Sequence, residues 1–115
     1  MKKIILFSFL FCSLNVFSQT CQAGFYSSVS NNTASFGNTC TGAIMPYYSW
    51  NFGDGNFSTA YNPTHVYLNT GTYTVCLTLW DSMNINCQST YCDSVTILSN
   101  QPHLVLLILW HCMIR

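Results

Sequence analysis

The chain has 115 residues, enough for one domain of ordinary size and too few for two. Lys2, Lys3 and Arg115 are its only Lys or Arg residues and Asp54, Asp81 and Asp93 its only acids, so the body has no cationic surface to neutralise phosphates, and a nucleic-acid partner is excluded. Ser, Thr, Asn and aromatic residues fill the interior instead, a composition that suits strands, turns and extracellular recognition better than a cytosolic active site.

Taken in chain order, the first element is a leader. Lys2 and Lys3 precede a mostly apolar run from Ile4 to Val16, and Val16-Phe17-Ser18 presents small or medium residues where a signal peptidase reads. Residues 1–18 are therefore expected to be a signal peptide cleaved before Gln19. The apolar run is shorter than the ~20 residues a membrane span requires. Neither Phe9-Leu10-Phe11 before Cys12 nor Ser18-Gln19-Thr20 before Cys21 offers the small residues expected ahead of a lipidated cysteine. The mature chain is thus expected to be secreted or at the cell surface, with no transmembrane span after signal removal.

Seven short β segments follow, at 22–29, 33–39, 47–52, 56–59, 64–67, 71–80 and 89–98, separated by Gly, Asn, Pro and Ser clusters. That succession is the signature of a sandwich rather than of βαβ units. The third segment runs through Trp50 and Phe52 into Asp54-Gly55, where a residue free to adopt positive φ reverses the chain. In the sixth, Tyr73, Val75, Leu77 and Leu79 alternate with Thr74, Cys76, Thr78 and Trp80, the pattern of a half-buried strand. The expected core is Phe25, Ala34, Phe36, Tyr48, Trp50, Phe52, Val66, Tyr73, Val75, Leu77, Leu79, Val95 and Ile97.

Three blocks carry a resemblance: Trp50-Asn51-Phe52-Gly53-Asp54-Gly55, then Asn62-Pro63-Thr64-His65-Val66-Tyr67, then Gly71-Thr72-Tyr73-Thr74-Val75. In order and spacing they resemble the PKD domain (polycystic kidney disease domain), over about residues 22 to 98. The resemblance implies an all-β, immunoglobulin-like sandwich of about seven strands occupying residues 19–100. It also implies structural duties for Trp50, Phe52, Gly53, Asp54, Gly55, Pro63, His65, Tyr67, Gly71 and Tyr73. Tyr73, just after Gly71, fits a tyrosine corner, in which the hydroxyl bonds back to nearby backbone. Asn51 stands where the family usually has Asp, which lowers any local affinity for cations.

An oxidising compartment turns the cysteines toward disulfides. Cys12 leaves with the signal, and Cys21, Cys40, Cys76, Cys87, Cys92 and Cys112 remain. Strand parity puts Cys76 and Cys92 on the outward face of consecutive strands, so a hairpin around Met83 to Ile85 sets them opposite one another, and this pair is favoured. Sandwich topology gathers Cys21, Cys40 and Cys87 at one end, where two of the three could pair; Cys21 with Cys87 is preferred because the family usually has Ser at the position of Cys40. No C-x-x-C spacing is present, and neither a metal nor a cofactor is expected.

The residue types of catalysis are sparse. Asp54, Asp81 and Asp93 lie in a turn, a strand end and a strand, without the partner carboxylate a glycosidase needs, and no nucleophile-elbow, zinc-protease or phosphate-loop motif occurs. His65 is assigned packing or hydrogen bonding, and Asp54 turn formation rather than Ca²⁺ ligation. The chain is therefore not expected to be an enzyme.

Recognition is left to the outer face of the sheet that holds the third, sixth and seventh segments. Parity places Tyr47, Ser49, Thr74, Thr78, Trp80, Thr90 and Thr96 there, with Tyr47 and Trp80 at the same end. A flat aromatic pair flanked by hydroxyls, Thr78 among them, can stack on sugar rings or anchor a protein; the plainer reading is that Trp80 covers a disulfide or a sheet edge. Asn31 and Asn56 each head an N-x-[ST] sequon. Residues 101–115, including the apolar run Leu104 to Trp110, depart from the sandwich pattern and read as an added segment, a partial membrane-surface anchor, or a truncated or frame-altered tail. What the resemblance implies for function is a non-catalytic binding or spacer module of a secreted or cell-surface protein, with an extracellular protein, a polysaccharide or neighbouring domains of a longer chain as partners. The alternative is a stand-alone carbohydrate-binding protein acting through Tyr47 and Trp80.

Overall fold

The computed structural model describes residues 20–99 and Met113; the expected signal peptide and, Met113 apart, the expected tail with Cys112 lie outside the described residues. Seven strands follow in order: β1 (Phe25–Ser30), β2 (Thr33–Asn38), β3 (Pro46–Asn51), β4 (Phe57–Ser58), β5 (Thr64–Val66), β6 (Gly71–Asp81) and β7 (Gln88–Ile97). They form two antiparallel sheets, one of order β1-β2-β5 and one of order β4-β3-β6-β7. Gln22 begins no strand of its own and makes an isolated bridge to Thr41.

Two turns show why these residues reverse the chain. Asn31 and Asn32 close the β1–β2 hairpin in two residues, with Asn31 at φ 56°, a left-handed conformation that Asn tolerates better than most side chains. After β3, Gly53 sits at φ 80° with the carbonyl oxygen of Thr74 where a Cβ would lie, 2.5 Å away, so only glycine fits. The same turn is closed by Asn51 Oδ1 accepting from the Gly53 amide at 2.9 Å and Asp54 Oδ1 accepting from the Asn56 amide at 3.1 Å.

Facing side chains of the two sheets make the core. Phe25, Ala34 and Phe36 come from the smaller sheet; Trp50, Val75, Leu77, Val95 and Ile97 come from the larger, joined by Phe52 just past β3 and Tyr67 just past β5. Trp50 is fully buried between Phe25 and Phe36, at ring-centroid distances of 5.2 and 5.4 Å, and its indole N–H donates to the carbonyl of Ala60 at 2.8 Å. Burial of this apolar surface is the main force that presses the sheets together, opposed by chain entropy.

One expectation is corrected, and one choice left among the cysteines is resolved. Val66 is 52% exposed, whereas Tyr67 is fully buried. The register explains it: His65 stands opposite the inward-facing Ala34, so the inward parity of β5 runs through His65 and Tyr67 and turns Val66 outward beside Thr33. Cys40, a candidate for a bridge, holds no disulfide; it is partly buried against the core, with its thiol 3.8 Å from the carbonyl of Gly24. Burial pushes that thiol above its ordinary pKa. The structure joins Cys76 to Cys92 across the β6–β7 ladder and Cys21 to Cys87 across a sequence separation of 66.

Candidate functional site

Register builds the outer face of the larger sheet. Tyr47 on β3 is the direct cross-strand neighbour of Trp80 on β6, and Ser49 of Thr78. The rings of Tyr47 and Trp80 lie 6.3 Å apart at 11° to one another, nearly parallel, and 54% and 38% of the two residues is exposed. Thr78 and Thr90 share a hydroxyl–hydroxyl bond of 3.0 Å, and Thr72 and Thr96 one of 3.1 Å, so cross-strand pairs fix the hydroxyls of this face. Cys76–Cys92 lies on the same face. Among its side chains on β3, β6 and β7 there is no charge: Tyr47, Ser49 and Asn51 alternate along β3, and Thr, Ser, Gln and the disulfide follow on β6 and β7. The arrangement can offer ring faces and hydroxyls to a neutral ligand.

A second cluster joins the motif blocks. His65 Nε2 lies 2.7 Å from Asp54 Oδ2, with 13% and 16% of the side chains exposed. The imidazole stacks on Phe52 at 4.2 Å and 3°, and meets Tyr67 edge-on at 4.6 Å. Tyr67 in turn donates to the carbonyl of Phe52 at 3.0 Å, and Tyr73 to that of Asn69 at 2.8 Å. Burial, then the neighbouring Asp54 charge and Tyr73, push the Tyr67 phenol up to about 12. Every polar atom named here is turned toward another part of the fold, so the cluster ties the β3–β4 turn to β5 and β6.

Asp81 is the residue that sequence reasoning missed. Left without a partner in the primary structure, it is buried, and its carboxylate accepts from the amides of Ile44 at 2.6 Å, Met45 at 3.2 Å and Met83 at 2.8 Å. One carboxylate thereby pins the β2–β3 connection to the β6–β7 loop. The available signal was an aspartate with a loop amide two residues on, the pattern of an Asx turn. The Ile44 and Met83 amides hold the carboxyl below its ordinary value, against the opposing effect of burial. For Asp54 burial alone would raise the pKa; bonds from His65 and Asn56 outweigh it and bring the net value down.

Both carboxylates are depressed on folding, so each contributes stability above the ordinary carboxylate value of 3.8 that is lost as pH falls through the folded value. The melting temperature is expected to fall on acidification below that point. Asp81→Asn, which leaves a single acceptor oxygen for three amides, should lower the neutral-pH melting temperature and flatten part of the acid slope. Thermal melts at a series of acidic pH values check both; parallel curves for the two proteins would refute the assignment.

Among the described residues no group of three or more His, Cys, Asp or Glu is placed to hold a metal ion, and no helix is long and apolar enough to cross a membrane. Two antiparallel sheets packed face to face, with a tyrosine corner opening β6, define an immunoglobulin-like β-sandwich. The chain matches the PKD domain family over residues 22–97, and it belongs to that family. It is 49% identical over 63 residues to collagenase ColA of Bacillus cereus, a stretch that makes up 51% of this chain and 6% of the collagenase. The chain thus spans only a small part of that relative. Among solved structures it is similar to the PKD1 domain of the Vibrio cholerae metalloprotease PrtV, at 28% identity and a TM-score of 0.62, covering 68% of this chain and 96% of that one. It is similar too, at 27% identity and a TM-score of 0.63, to a structure described as bearing on the promiscuous specificity of carbohydrate-binding modules of the β-sandwich superfamily, covering 72% of this chain and 36% of that one.

Proposed function

We propose that this PKD domain is a non-catalytic extracellular recognition module of a secreted or cell-surface protein, with Tyr47 and Trp80 as its contact for a neutral polysaccharide or matrix protein and Thr78 beside them. The observation that carries this reading is the near-parallel, exposed ring pair on a face without charge. Ring faces stack on the apolar faces of pyranose rings, and fixed hydroxyls around them can exchange hydrogen bonds with sugar hydroxyls. Similarity to part of a structure described as bearing on carbohydrate-binding modules, and to a segment of a collagenase, supports polysaccharide and collagen as the first ligands to try.

Retention of the oxidised protein on insoluble polysaccharides and collagen fibrils, wild type beside Trp80→Ala, tests it. Saturable binding by the wild type and a loss of roughly tenfold or more in the variant is expected, since a buried aromatic anchor commonly accounts for 2 kcal/mol or so of an interface. Equal retention of the two proteins would place the contact elsewhere. No retention by a folded wild type would leave the domain as a spacer between other parts of a longer protein.

A further inference from the structure

The end of the sandwich beyond Tyr47 and Trp80 carries a set of side chains that neither the core nor the sheet face uses. Ile44 and Met45, in the β2–β3 connection, are 64% and 55% exposed; Met83 and Ile85, in the β6–β7 loop, are 73% and 92% exposed. Soluble loop tips ordinarily carry polar turn residues, so four large apolar side chains on two adjoining loops form an unexplained patch. The loops are built as one unit. Asp81 accepts from the amides of Ile44, Met45 and Met83, the Ser82 amide donates to the carbonyl of Met45 at 3.2 Å, and a turn closed by the Cys87 amide on the Asn84 carbonyl at 2.9 Å holds Ile85 at its tip. Cys21–Cys87 fastens that turn to the start of the domain. Among the described residues the one charge at this end, Asp81, is turned inward and bound to backbone amides.

We propose that this loop end inserts into the surface of a lipid bilayer, with Ile44, Met45, Met83 and Ile85 entering the acyl boundary and Tyr47 and Trp80 at the headgroup level. The order of chemistry along the domain axis matches that of a membrane interface: aliphatic and thioether tips outermost, amphipathic aromatic rings one residue pair behind, then a hydroxyl-covered sheet. The four side chains are exposed on two loops, an arrangement that suits a fluid hydrocarbon better than the fixed surface of a protein partner. Charge selects the lipid. Among the described residues the tip presents no Lys or Arg, so adsorption by it depends on apolar burial and not on anionic headgroups, and zwitterionic phosphatidylcholine suffices. The proposal shares Tyr47 and Trp80 with the recognition face above but turns on the four loop residues, so the loop substitutions on vesicles and Trp80→Ala on polysaccharide and collagen test the two readings separately.

The test uses the full chain carrying Trp110→Phe, so that Trp80 is the exposed fluorophore beside the fully buried Trp50. Vesicles of phosphatidylcholine with brominated acyl chains are expected to quench Trp80, with equal partitioning into vesicles containing phosphatidylglycerol and no loss at high salt. The pair Met83→Ser and Ile85→Ser, at exposed positions where folding is little affected, should lower the partition coefficient roughly tenfold or more, because two apolar side chains no longer enter the membrane. Absence of quenching in the wild type overturns the proposal. So does adsorption indifferent to the loop substitutions, which would assign it to another segment, and so does self-association abolished by those substitutions without lipid, which would make a second copy the occupant.

Discussion

Replacing Trp50 by Ala is expected to destabilise the domain by about 3–5 kcal/mol, a large share of the 5–15 kcal/mol that holds a typical domain together. The indole is fully buried and touches both Phe25 and Phe36 of the facing sheet, so its removal opens a void where the two layers meet. It also strands the Ala60 carbonyl, which takes the indole N–H at 2.8 Å. Trp50→Phe separates the two contributions, since it keeps most of the apolar area and loses the hydrogen bond; its cost should be clearly smaller. Urea unfolding of the oxidised proteins gives the comparison. A loss below about 1 kcal/mol for Trp50→Ala would mean that the layers repack without the ring.

Removal of the Cys21–Cys87 bridge, as Cys21→Ala with Cys87→Ala, is expected to cost about 4 kcal/mol, because closing a loop of 66 residues' separation removes more entropy from the unfolded chain than the shorter Cys76–Cys92 loop, worth about 3 kcal/mol at a separation of 16. The effect should be local as well as global. Cys87 is buried, its amide closes the Asn84 turn and its carbonyl takes the Asp81 amide at 3.1 Å. Amide exchange at Ile44, Met45 and Met83 should therefore accelerate in the Cys21/Cys87 variant and much less in a Cys76/Cys92 variant of matched stability. Equal protection in the two would show that Asp81 alone holds the loops.

The two bridges divide the work of the fold. Cys76–Cys92 reinforces a ladder that β6 and β7 already form over ten residue pairs, Gly71↔Ile97 through Trp80↔Gln88. Cys21–Cys87 instead joins parts of the chain distant in sequence, at the end where both apolar loops project. The proposed recognition by a sheet face and the proposed insertion by a loop end thus make different demands on oxidation: loss of the longer bridge should impair the loops first.

Sequence by itself determined the strand succession, the turn chemistry and the family, because alternation of apolar residues, an Asp-Gly turn and the blocks around Trp50, His65 and Tyr73 are local properties of the chain. The placement of Tyr47 and Trp80 on one face followed from the same parity, since a period of two leaves a side chain only two faces to choose from. Three features belonged to the tertiary structure. The inward turn of Tyr67 in place of Val66 depended on the register against β2, and in so short a strand the alternation is too brief to fix parity alone. Asp81 found its three amides on loops that are neighbours only in space, the nearer two residues away and the farther 37. Whether an apolar loop residue such as Ile85 is buried or projects is likewise set by what the rest of the fold brings against it, and here nothing within the described domain covers it.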